Sequence, residues 1–105
     1  MKLYFCLMTL LIAGAVHSQE RHSYRPSEGF VSSGRTAELI AEAVLAPIYG
    51  KAEIEEQRPF KTALKGDVWI ISGDPARRNP RYMGGNFEIH ISKATGEILF
   101  LTHTK

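Results

Sequence analysis

The chain of 105 residues contains a single cysteine, Cys6, and that residue lies inside an N-terminal apolar stretch. No disulfide can therefore staple the fold, and no cysteine-ligated metal site is available. Charge of one sign is also scarce: 13 basic against 11 acidic residues give a formal net charge of +2. A general nucleic-acid binder needs a strong basic stripe, and that balance does not provide one. No apolar run is long enough to span a bilayer comfortably, since the longest, Leu3 to Val16, falls short of about 20 residues. Internal repeats, low-complexity tracts and recognised catalytic motifs are missing as well. Gly84-Gly85 precedes a strand pattern, lacks a following helix and has no lysine at the right offset, so it is not a phosphate loop. It reads instead as a bulge or tight strand entry.

What is present begins with export chemistry. Met1-Lys2, the uncharged run from Leu3 to Val16 and the small residues after it have the layout of a secretory signal peptide. Cleavage after Ser18 or after Ala15 fits the small-residue rule, and residues 1–18 are taken as the signal. Its removal takes Cys6 and Lys2 away, leaving a thiol-free domain, a habit of bacterial periplasmic proteins, with no membrane segment. Residues 19–34 are polar, carry Pro26 and Gly29, and read as a flexible lead in which Phe30-Val31 can dock.

The domain proper is expected over residues 35–105. Ala37, Ile40, Ala41, Val44, Leu45 and Ile48 recur at helical spacing, so Thr36 to Tyr49 is expected to be a helix with one apolar stripe. Thr36 is the expected cap and Gly50 the stop, while Pro47 predicts a kink or early end. Lys51 to Gln57 reads as a short helical turn or loop. Four strand signals follow: Phe60 to Leu64, Val68 to Ser72, Asn86 to Ser92 and Glu97 to Thr102. The last two flank Lys93-Ala94-Thr95-Gly96, where Gly96 supplies the positive φ that such a loop often needs. The expected architecture is α+β: one main helix on a four-stranded antiparallel meander.

Strand alternation then sorts side chains. With Ser92 opposite Glu97, Phe87, Ile89 and Ile91 share a face with Ile98 and Phe100. Glu88, His90, Leu99, Leu101 and His103 form the other face. That second face, two leucines among two imidazoles and a carboxylate, is a candidate partner-binding surface. His90, His103 and Glu88 lack the short spacing of a metal site, so no metal is implied. Trp69 reads first as core, and as a binding anchor if its face is open. Arg77, Arg78 and Arg81, with Tyr82, form the densest charge cluster. It reads either as a solvated loop or as a contact for an acidic protein surface. No residues are positioned for catalysis and no cofactor is implied.

The succession "AELIAEAVLAPIYG", Arg58-Pro59-Phe60, "GDVWIISG", Gly84-Gly85 and "FEIHISKATGEILFLTHTK" resembles the nuclear-transport-factor-2-fold immunity proteins of bacterial polymorphic toxin systems. The resemblance covers Thr36 to Lys105. It implies a cystatin-like arrangement of sheet against helix and a non-catalytic task, binding and occluding a cognate protein toxin. With an export signal, that toxin would act outside the cytoplasm, on wall or membrane. The helix-then-sheet layout with a "TGEIL" hairpin is also similar to small exported PepSY-type domains that modulate peptidases. Enzymes of the broad cone-shaped fold close a deep pocket with several helices. Roughly seventy ordered residues with one main helix bury little core for that.

Overall fold

The structure, a computed structural model, describes residues 21–74 and 85–104. Residues 1–18, expected to be a signal peptide, and Arg77, Arg78, Arg81 and Tyr82 lie outside the described residues. The order of elements is α1 (Gly34–Tyr49), α2 (Lys51–Glu55), β1 (Lys61–Lys65), β2 (Val68–Ser72), β3 (Phe87–Ser92) and β4 (Ile98–His103). The four strands form one antiparallel meander in the order β1-β2-β3-β4. An N-terminal helix packed on such a sheet is the expected α+β architecture.

Helix α1 starts two residues before the expected position. Ser33, not Thr36, is the cap, and its side-chain oxygen accepts the Thr36 backbone N–H at 3.2 Å. Thr36 sits one turn in, its hydroxyl 3.0 Å from that of Ser33. Ala37, Ala41 and Leu45 are fully buried, and Ile40 and Val44 pack beside them. The small alanines let the helix approach the sheet closely, while Leu45 fills the wider space near its end. The stripe stops one turn short of expectation, because Ile48 is 55% exposed. Pro47 does not end the helix, which runs on to Tyr49. The N–H of Gly50 then closes on the Ala46 carbonyl at 2.8 Å. The single turn of α2 buries Ile54.

Gln57, directly after α2, is the buried polar residue of the core, 6% exposed. Its side-chain carbonyl accepts the N–H of Phe87 at 3.0 Å, and its backbone carbonyl accepts that of Asp74 at 2.8 Å. Both groups would otherwise be unpaired at a strand end, so Gln57 fixes where the sheet begins relative to the helices. Arg58 does the same at the surface. It bonds Glu42 on α1 and Glu55 on α2, each at 3.0 Å, and lies 4.2 Å over the Phe60 ring.

The stretch before α1 is tied to the β3–β4 loop. Phe30 and Val31 donate backbone N–H groups to the carbonyls of Ala94 and Lys93 at 3.1 and 3.0 Å. Lys93 Nζ donates to the Glu28 carbonyl at 2.8 Å. Val31 thereby becomes core, 1% exposed, and its carbonyl accepts the Trp69 indole N–H at 2.7 Å. Trp69 packs on the helix side of the sheet, against the core.

Alternation along the strands gives the sheet two unlike faces. Ile71, Phe87, Ile89 and Ile91 are buried under the helices, and Thr62 on β1 donates to Glu38 of α1 at 2.7 Å. The β3–β4 loop pairs as expected, with Ser92 N–H donating to the Glu97 carbonyl at 2.9 Å and Gly96 at φ +81°. Register then shifts. Ile91 faces Ile98 but His90 faces Phe100, so Leu99 is a surplus residue in a β-bulge. The expected face assignment of β4 is therefore corrected beyond Ile98. Phe100 stands on the outer face beside His90, whereas Leu101 faces Ile89 and packs on the core, and His103 faces Phe87.

Candidate functional site

Two regions emerge from this geometry. The first is the outer face of the sheet. Paired positions line up as a row, Ala63, Ile70, His90 and Phe100, crossing all four strands. Val68 lies opposite Ser92 on one side of the row, and Ser72, Glu88 and Thr102 lie on the other. Among the described residues, no helix or strand covers this face: α1 contacts β1 and β2 from the opposite side, where the core lies. His90 Nε2 is 2.9 Å from Glu88 Oε2, and its ring lies 4.8 Å from that of Phe100 at 44°. The imidazole is thus held between a carboxylate and an aromatic ring. Phe100 is 47% and Leu99 49% exposed. The result is an apolar band with a polar margin, the general make-up of a protein-contact surface.

The second region is a recess of about 260 Å³ at the end of the helix–sheet layer, lined by Ile48, Tyr49, Glu53, Gln57, Gly85, Phe87 and His103. The Tyr49 hydroxyl and His103 Nδ1 are 2.9 Å apart, and their rings meet edge-on at 5.3 Å. This contact ties the end of β4 to the end of α1. Gly85 lets the chain pass close beneath β4, since an added Cβ would collide with the Thr104 carbonyl. That is the tight strand entry expected of the Gly84-Gly85 pair at its second residue. Asn86 and Thr104 pair beside it, with Thr104 N–H donating to the Asn86 carbonyl at 3.0 Å.

The structure thus divides the residues expected to share one surface. Glu88, His90 and Leu99 belong to the open side with Phe100, which alternation alone had assigned to the core. Leu101 and His103 belong to the helix side. His90 and His103 cannot act jointly, being on opposite faces. No group of three histidine, cysteine, aspartate or glutamate residues placed to hold a metal ion occurs among the described residues. Sequence reasoning missed Ile70 and Phe100 on the outer face, and Tyr49, Glu53 and Gln57 around the recess. A bulge without glycine leaves no local signal, and Tyr49 is recognisable only as the last residue before Gly50.

A helix laid on a four-stranded antiparallel meander, with one sheet face uncovered, places the molecule among α+β domains of cystatin-like or NTF2-like shape. The comparison with protein families is more specific. Residues 36–105 match the family described as NTF2 fold immunity protein, Imm-NTF2-2. The chain belongs to this family of immunity proteins. Comparisons with curated proteins and with solved structures gave no match.

Proposed function

We propose that this protein is an exported, non-catalytic immunity protein that binds a cognate protein toxin and blocks it by occlusion. Family membership supports the role, and an immunity protein implies a toxin as partner. The observation that carries the occlusion mechanism is the uncovered sheet face. Ile70, His90 and Phe100 form a continuous row there, with Leu99 beside them and no second layer of the described fold to bury them. Apolar groups at the centre of a contact and polar groups at its edge give affinity by desolvation and orientation by hydrogen bonding. Glu88 and His90 supply the orienting groups. Leu101 and His103 contribute from behind, by fixing β4 in place.

Export rests on the N-terminal sequence, Met1-Lys2 followed by the apolar run to Val16. The toxin restrained here would then act in the periplasm or cell envelope. Arg77, Arg78, Arg81 and Tyr82 remain candidates for an electrostatic contact with an acidic toxin surface, on sequence grounds.

The test is affinity capture from the native host with mass spectrometry, followed by a killing assay. Recovery of an exported toxin whose lethality this chain relieves supports the proposal. Recovery of a housekeeping peptidase, modulated by the chain, favours the PepSY-type alternative. Turnover of a small molecule by the isolated protein, lost on changing His90 or Glu88, would overturn the non-catalytic reading.

A further inference from the structure

We propose that the recess at the end of α1 is a socket for one cationic side chain, an arginine or lysine presented by the bound toxin. The assignment of the donor to a toxin rests on the immunity reading; the socket itself rests on geometry. Its volume, about 260 Å³, falls below the roughly 300–1,000 Å³ of drug-sized sites, which suits a single side chain better than a small-molecule ligand.

Three features select a cation. Glu53 lines the recess and is partly buried, yet its carboxylate has no ion-pair or hydrogen-bond partner among the described residues. The other partly buried carboxylates are engaged. Glu38 accepts from Thr62, Glu42 bonds Arg58, Glu88 bonds His90, and Asp74 also has a partner. A partly buried carboxylate without a side-chain partner gives up part of its hydration, and an incoming cation would offset that loss with a charge-assisted hydrogen bond.

The second feature is Ile48. It is the one member of the α1 stripe exposed to 55%, and it stands at this recess rather than on the sheet. An arginine or lysine entering towards Glu53 would lay its methylene stem along Ile48 and cover it. The third feature is rigidity. Tyr49 and His103 brace each other at 2.9 Å, and Gln57 is fixed by its bond to Phe87. The walls are therefore already in place, and binding need not order them. Arg58, an internal cation on the same helical layer, is occupied by Glu42 and Glu55 and is not available to fill the socket.

The test uses the full mature chain and arginine amide, lysine amide and leucine amide as probes, followed by NMR. Arginine amide and lysine amide are expected to shift the resonances of Ile48, Tyr49, Glu53 and His103 at concentrations where leucine amide does not. Glu53→Gln should weaken that binding about tenfold or more, since a hydrogen bond to a charged partner is lost, with an unchanged melting temperature. Absence of shifts at the recess, equal binding of leucine amide, or unaltered binding by Glu53→Gln would overturn the socket. The same variant separates the two readings in a killing assay. Full neutralisation by the wild type and equally by Glu53→Gln, with no probe binding, removes the socket and leaves the immunity function. Probe binding at Glu53 in a protein that neutralises no toxin leaves the socket and removes the immunity function.

Discussion

The Trp69 indole N–H donates to the Val31 carbonyl at 2.7 Å, joining the middle of β2 to a residue that precedes the first helix. Val31 in turn is buried and paired with Lys93 across the β3–β4 loop. These two hydrogen bonds at Val31 therefore link the lead, the sheet and the terminal hairpin. Replacing the indole with a phenyl ring keeps apolar bulk but strands the carbonyl. Trp69→Phe should destabilise the protein by about 1–3 kcal/mol, read from urea denaturation midpoints.

Gln57 offers a second, independent probe. Gln57→Leu conserves size but leaves the Phe87 N–H without its acceptor at a buried strand end. A loss of about 1–3 kcal/mol is expected. Amide hydrogen exchange at Phe87 should accelerate more than at Ile91, because the change is local to the entry of β3.

Ile89 tests the assignment of faces. It is fully buried between the helices and the sheet, so Ile89→Ala should cost about 2–5 kcal/mol through lost burial and a residual cavity. Phe100→Ala, on the outer face, should cost far less. A reversal of that order in thermal melts would mean that Phe100, and not Ile89, faces the helices.

Binding should respond in the opposite sense. Phe100→Asp leaves the core untouched but places a charge in the middle of the apolar row on the open face. Toxin affinity should fall by about thirtyfold or more, as for a central contact residue worth about 2 kcal/mol or above. Isothermal calorimetry with the purified toxin measures this, and unchanged affinity would exclude that face from the interface.

Charge reversal at Arg77 and Arg78 addresses the basic cluster. If it steers an acidic partner, association should slow and lose much of its salt dependence, while dissociation changes little. Stopped-flow rates at two ionic strengths decide the matter. Equal association rates would assign the cluster to solvent.

Much of the architecture was legible because it follows from periodicity. The stripe from Ala37 to Leu45 specifies α1, and Gly96 with its flanking alternation specifies the terminal hairpin. Boundaries moved by one or two residues where a competing group won: Ser33 captured the Thr36 N–H, and the helix continued through Pro47. The candidate surface was only half legible. Side-chain parity along β3 is unbroken, so Glu88 and His90 were placed on the outer face by counting. Counting fails across Leu99, because an extra residue changes the direction of every later side chain and carries no compositional mark. The recess was not legible at all. Ile48, Glu53 and His103 are brought together from three elements by packing, and nothing adjacent in the chain relates them.

The surplus residue at Leu99 makes β4 answer to two different neighbours. Upstream of it the strand is registered by its tight loop; downstream it is registered by Tyr49, through His103. Loss of the bulge at constant length, with Leu99 drawn into the ladder opposite His90, would roll the distal half of the strand by half a revolution. Phe100 would turn inward and the tyrosine clasp would open in a single step. The unpaired residue at this point, more than the identity of its side chain, is what keeps the exposed and the hidden aspects of the sheet distinct.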